Sequence, residues 1–546
     1  MIRSLLLLVL VYCSLRPCDA SAQQQDSSRQ RDEMPRLEIP EITIIGKKAI
    51  TLPFARKGEI YDVEIYEAPP PDSSVLGQPP HMSLLNGSLP RYRQEEMPWR
   101  YSVEGLLGTF GTVGARGYVN YIAQQWGIGG NGGFRSTNGH TANADASSFK
   151  LGGDVHTLVR TDNAVLKTFR ASLGMEYERN KYGLFAIPNA EVRRRVNDFG
   201  VDASFGSLNR QGTMIDVELA ARFLSLDDSW KGIDSSVSAV SPVMRALLSS
   251  EFRYMTLNAG ITYQSSSLDY KSPAQLPSLI DVSLTTEWKL TRKFSLEFGG
   301  RISHGADNAG GEQDLVMPLG GARWTPDSVI AVGLWFKPGM QFTPYEGYLR
   351  TIPYIEREFS LQPERQPIVA GSSLFYNRGS LSLEVRGTYM QSSNTPLQIA
   401  DSGRIRLEYA EARKTAIDIE GALRLTNISR LLFAGTLSIA RETAGSNVQL
   451  PMIPSVRLTG RWETDFRIPL KAWSSVEYLS PRNIDRAGTQ SLGNVFLLNV
   501  GGSTNVFPRV VIAAEALNLL DTQHEWWSGY TAPGVQFNVT AKINFQ

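Results

Sequence analysis

Cysteine is nearly missing: of 546 residues only Cys13 and Cys18 carry a thiol, both within the first 20 positions. If that segment is removed, no thiol is left for a nucleophile, a CxxC redox pair, a disulfide or a thiolate zinc site. Histidine is scarce. His81, His140, His156, His304 and His524 show no HxxxH or other metal-ligand spacing. No GxSxG element marks a hydrolase nucleophile. The run Gly127–Gly133 lacks the GK[ST] ending of a phosphate-binding loop and reads as a hairpin turn. No charge of either sign dominates, with 55 Lys+Arg against 54 Asp+Glu, so no basic excess is available for nucleic acid phosphates. Beyond residue 22 no apolar run approaches the ~20 residues of a transmembrane helix. These absences point away from an enzyme, a cofactor protein, a nucleic-acid binder and a helical membrane protein.

The N-terminus has the form of an export signal. Arg3 precedes an apolar stretch from Ser4 to Leu15, and Ala20-Ser21-Ala22 offers a small-x-small cleavage site. A lipoprotein signal at Cys18 is the rival, but Arg16 and Pro17 stand where small residues are wanted. Cleavage after Ala22 removes Arg3, Arg16 and Asp19 and leaves the charges balanced.

What the sequence does have is period-2 alternation. Ile280, Val282, Leu284 and Trp288 alternate with Asp281, Ser283, Thr285, Glu287 and Lys289. Side chains alternate across a strand, so one face meets an apolar medium and the other meets water. The pattern recurs with Asp216, Glu218 and Arg222 against Ile215, Val217, Leu219 and Phe223. It recurs with Glu384 and Arg386 against Leu383 and Val385, and with Asp418, Glu420 and Arg424 against Ile417, Ile419 and Leu423. The final segment sets Val535, Phe537, Val539, Ile543 and Phe545 against Gln536, Asn538, Thr540 and Lys542. Segments of nine to eleven residues suit a tilted membrane strand, whereas the strands of a soluble β-sandwich are usually shorter. The fold class expected is an all-β transmembrane antiparallel barrel over residues 96–546. Allowing ~10 residues per strand and ~10 per connection gives about 22 strands. Asp216, Glu218, Arg222, Glu287, Lys289, Glu384, Arg386, Asp418, Glu420 and Arg424 should face the lumen, and Phe537, Val539, Ile543 and Phe545 of the closing strand should face lipid. Polar clusters such as Arg135–Ser148 and Gln391–Pro396 read as loops.

Both ends carry a resemblance. Ala516-Leu517-Asn518-Leu519-Leu520-Asp521, then Gly529-Tyr530 and Pro533-Gly534 before the last strand, resemble the C-terminal barrel of the TonB-dependent outer-membrane receptors. That family places Arg where Val535 stands and commonly ends on an aromatic, where this chain has Phe545 followed by Gln546. Pro40–Gly46, with Glu41, Ile42, Thr43, Ile44 and Ile45, looks like the extended TonB-box strand, which adds to the edge of a partner's sheet. The family's plug motifs are not found between Gly46 and Ser102. Residues 23–95 instead carry Pro69-Pro70-Pro71 and Pro79-Pro80, text suited to a linker. The resemblance implies solute passage or uptake across a cell outer membrane. Its partners would be outer-membrane lipid, the barrel-assembly machinery, and TonB or another periplasmic protein. The alternative is a non-transport barrel acting in surface binding or assembly.

Overall fold

The computed structural model describes residues 99–545, apart from 124, 162–167, 189–190, 208–211, 270–275, 444–447 and 467. Residues 1–22, expected to be an export signal, the TonB-box-like residues 41–45 and the rest of the 23–95 stretch lie outside the described residues.

Among the described residues, 24 strands form one sheet, and two of them, Ser267–Leu268 and Gly339–Gln341, are short extensions. The other 22 make an antiparallel wall in which each strand pairs with its successor. The wall closes where Trp99–Gly108 pairs with Gln536–Phe545, from Tyr101↔Phe545 to Gly108↔Asn538. Closure leaves no free edge, so every stave's backbone groups find partners without water. At the end that carries Trp99 and Phe545, connections are as short as 379–380 and 508–509. The opposite end carries the long ones: 342–363, 480–494 and 518–535. Inside 342–363 lies helix α1 (Tyr345–Thr351).

Alternation sets the two faces. On Thr213–Trp230, Leu219 and Phe223 stand exposed on the outside while Asp216, Glu218 and Arg222 point inward. From Ile215 to Phe223 the apolar outer face runs about 27 Å along the strand, enough to cover most of a ~25 Å apolar membrane band. Tyr101, Trp126, Trp288, Trp324 and Trp462 stand exposed near the end that carries the termini, as an aromatic girdle would.

Past Phe223 the pattern inverts. Leu224 and Leu226 point inward and are buried, while Ser225 and Asp227 point outward. The neighbouring strand Ile233–Glu251 does the same with Val237 and Ala239 inside, Ser236 and Ser238 outside. Arg193–Ser207 follows, with Val196 inside and Arg195 and Asn197 outside. The inversion marks where the wall leaves the apolar band: its outside then meets water and its inside acquires a core. That core joins Leu224, Leu226 and Val237 to Tyr345, Tyr348, Leu349, Ile352 and Phe359 of the 342–363 segment.

Three expected boundaries are corrected. Gly127–Gly133 is not a turn but the middle of strand Trp126–Thr137. Its inward glycines face large inward side chains: a Cβ on Gly127 would lie 2.5 Å from the His156 ring, and one on Gly129 would lie 2.4 Å from Asp154 Oδ1. Gln391–Pro396 is not a loop but part of strand Leu381–Asp401, with a bulge between Ser392 and Thr395 that uncouples it from strict alternation. The loop expected over Arg135–Ser148 is confined to 138–145.

Candidate functional site

The 342–363 segment folds into the barrel mouth and is held there by the wall. Its α1 repeats Tyr345, Tyr348, Leu349 and, just beyond, Ile352, an i, i+3, i+4, i+7 stripe that is buried throughout. Glu346 sits in the first turn and Arg350 in the last, each at the helix end whose partial charge it opposes.

Two cationic anchors fix it. Arg194, with a fully buried side chain, donates to both oxygens of Asp228 at 2.7 and 2.8 Å, and to the carbonyls of Pro353 and Ile355 at 2.9 and 2.7 Å. A wall strand thus reads the backbone of the inserted segment. In the other direction, Arg350 reaches the wall and donates to Asp198 at 2.6 Å. Asp198 also accepts from Arg222 at 3.3 Å, Arg222 pairs with Glu176 at 3.5 Å, and Glu176 pairs with Lys150. The result is a charge relay across four wall strands, ending on α1.

Neutral contacts complete the seat. Ser241 donates to Glu346 at 2.5 Å. Burial pushes the Glu346 carboxyl above the usual carboxylate range, with the Ser241 hydrogen bond opposing. Tyr182 donates to the Pro353 carbonyl and Tyr409 to the Ser360 carbonyl, both at 2.8 Å. Ile355 bridges to Ile405 in parallel. Tyr354 stacks on Tyr530 at 3.5 Å between ring centroids, and Tyr530 in turn donates to the Gly403 carbonyl at 2.7 Å. The 480–494 and 518–535 excursions join the same cluster through Ile484, Leu492, Trp526 and Trp527. There Arg482 is buried without a carboxylate hydrogen bond. It donates to the Glu525 carbonyl at 2.9 Å and lies near the Trp526 ring, while its Nε and Nη1 have no partner among the described residues. Burial pulls its pKa down to about 10, the Glu477 carboxylate opposing.

The charges named from the sequence fall in four places. Arg222 belongs to the relay that reaches α1. Glu218 pairs with Arg245 at 3.2 Å, and Asp216 lies over Gly206, where a Cβ would come within 2.5 Å of its Oδ1. Glu384 pairs with Arg386 at 2.7 Å, opposite Asp418 and Glu420, and Asp418 accepts from Thr436. Glu287, Lys289 and Arg424 lie toward the end that carries the termini, with Lys289 on Glu251 at 2.6 Å. On the closing strand Phe537, Val539 and Ile543 are exposed on the outside and Phe545 stacks on Tyr101. Asn538 is buried on the inner side and donates to Glu515 at 2.9 Å.

The decisive anchors, Arg194, Asp198, Asp228, Glu346 and Arg350, were not singled out from the sequence. Two signals mark them: the inverted alternation at 224–230 and 233–239, and helical spacing of aromatics inside a long connection.

No family model and no curated protein matches the sequence. Solved structures do. The ferric yersiniabactin uptake receptor FyuA from Yersinia pestis aligns at TM-score 0.65 and 13% identity, over 83% of this chain and 81% of that one. The FrpB iron transporter from Neisseria meningitidis aligns at TM-score 0.64 and 10% identity, over 83% and 82%. The copper transporter OprC aligns at 0.63 and 12%, over 83% of each. The barrel has the fold of the TonB-dependent outer-membrane receptors. At this identity the likeness is one of fold.

Proposed function

We propose that the protein is an outer-membrane uptake receptor whose mouth is closed by the 342–363 segment, and that cargo enters when this segment leaves its seat. The observation that carries the reading is the pair of anchors, Arg194 on the Pro353 and Ile355 carbonyls and Arg350 on Asp198, which tie one long connection to the inside of the wall. The fold shared with uptake receptors and metal transporters supports it. The long connections face the exterior, because membrane barrels keep short turns on the periplasmic side. Residues 41–45 serve as the TonB contact, and the wet lower lumen, lined by Glu218, Arg245, Glu384 and Arg386, passes polar cargo once the seat is vacated.

Cross-linking tests this directly. The signal segment holds both native cysteines, so Asp198→Cys with Arg350→Cys introduces the only thiol pair in the mature chain. A bifunctional maleimide with a disulfide in its spacer, which spans the reach of the lost Arg350 side chain, should join the pair and block solute entry in liposome swelling or whole-cell uptake, and reduction of the spacer should restore it. Uptake that is equal in the joined and reduced forms would refute gating by this segment and favour the non-transport alternative.

A further inference from the structure

The outside of the wall carries a feature that gating does not use. Strands Ala146–Arg160, Thr168–Gly183, Arg193–Ser207, Thr213–Trp230 and Ile233–Glu251 present their outward residues in aligned rows. One row reads Leu151, Tyr177, Phe199, Phe223 and Val240. The next row toward the loop end keeps Phe149 opposite Arg179 and then turns polar, with Asn197, Ser225 and Ser238. The row above that pairs Lys181 with Arg195 in register. Arg179 and Arg195 both act on the Lys181 ammonium as like charges, an arrangement that destabilises a sheet when nothing lies between them. Arg179, Lys181 and Arg195 form no ion pair within 4 Å among the described residues. Asp227, opposite Arg195, forms none with it, and Asp145 is taken by Arg193. The Arg179 Nε is buried and has no hydrogen-bond partner among the described residues. Directly below the cations, Tyr177, Asn197, Phe199, Phe223, Ser225 and Val240 line an outward-facing depression of about 300 Å³.

We propose that this patch binds a phosphate-bearing lipid of the leaflet at the loop end, with the phosphate on Arg179, Lys181 and Arg195 and an acyl chain over Phe199, Phe223 and Val240. Two rows separate Lys181 from Tyr177 and Phe199, about 14 Å along the strands, the depth over which a headgroup gives way to hydrocarbon. The cations stand where the outer face changes from aromatic to polar, the level of a membrane interface. A soluble phosphate compound would gain nothing from the aromatic row. The inference rests on the wall's being a membrane barrel and is independent of whether the mouth conducts.

The test uses the full chain, folded in nonionic detergent and titrated with diphosphorylated lipid A by native mass spectrometry. Inorganic phosphate and the dephosphorylated lipid serve as separate arms. Wild type should hold lipid A, and the triple variant R179Q/K181Q/R195Q should bind roughly 100-fold more weakly, at roughly fivefold per cation. Val240→Trp, which fills the depression, should weaken lipid A and leave the cations in place. The unboiled gel shift checks that each variant is a closed barrel. If the triple variant does not fold, Lys181→Gln alone should still cost about fivefold. Equal binding of lipid A by wild type and the charge variants would overturn the proposal. So would binding of inorganic phosphate, or of the dephosphorylated lipid, as tight as that of lipid A. Because the readout is lipid bound per barrel, a failure of uptake in the cross-linking experiment leaves it unaffected.

Discussion

Removing Asp228 should open the mouth without opening the barrel. Asp228 is 7% exposed and supplies both carboxylate oxygens to Arg194, whose side chain is 0% exposed. In Asp228→Ala the guanidinium keeps only the Pro353 and Ile355 carbonyls and becomes a buried charge without a counter-ion. Breaking a buried pair by deleting one partner costs about 3–5 kcal/mol. Both groups are out of solvent, so screening does not reduce that figure. The wall is held by ladders on both sides of every stave, so the penalty falls on the cheaper transition, release of 342–363. The closed-to-open ratio should drop about 150- to 4,000-fold. Hydrogen exchange reads this at the amides of Ile352, Ile355 and Glu356, which donate to Tyr348, Ile352 and Ile405 carbonyls in the seated segment. These should exchange faster while wall amides on Arg193–Ser207 keep their protection. Arg194→Met combined with Asp228→Leu should recover much of the loss, because an apolar pair removes the stranded charge. Unchanged protection at Ile352, Ile355 and Glu356 in Asp228→Ala would refute the reasoning.

Because Glu346 is pushed upward in the seated segment, that state binds its proton more tightly than a released, solvated one. Its contribution to closure is therefore full below the ordinary carboxylate range and is lost as pH rises through the raised value. Protection factors at 342–363, taken relative to the intrinsic exchange rate at each pH, should rise on acidification from neutral pH, and Glu346→Gln should flatten that dependence and close the mouth at neutral pH. Arg482→Met should leave the unfolding temperature unchanged or raise it, since the side chain is buried with two unmet donors; a fall of several degrees in the gel-shift transition would contradict this. A water-soluble maleimide should label Thr540→Cys, on the inner face, and spare Val539→Cys, on the outer face, in bilayers, because a one-residue slip exchanges the faces.

The barrel was legible because most of its wall obeys one local rule. Ile280–Lys289 and Val535–Phe545 alternate cleanly, and a two-residue period needs no partner to be read. Trp126–Thr137 escaped because glycine shows no face: Gly127, Gly129 and Gly133 point inward without a side chain to reveal it. Gln391–Pro396 escaped because a bulge breaks the period. The mouth was hidden for a different reason. Its ties join Arg350 to Asp198 over 152 positions and Tyr182 to Pro353 over 171, and no local pattern encodes a partner that far away. The inverted alternation at Leu224–Asp228 was visible in the sequence, but it acquires meaning only when an occupant for the inside is known.

That distance has a consequence for how the molecule is made. The seat for 342–363 is assembled from Arg194 and Asp228 near the start of the wall, Asn308 and Tyr409 in its middle, and Tyr530 beside its last strand. Contacts of such separation form late, after the loops between them have been closed. The closing strand Gln536–Phe545 also follows every other wall strand in the chain and must find Trp99–Gly108 to complete the ring. The inserted segment therefore finds its complete seat only after the ring has shut. The timing leaves an inserting barrel unsealed on its outer side for an interval, and any truncation that prevents ring closure produces a chain whose aromatic core, from Tyr345 to Phe359, is an exposed target for quality control.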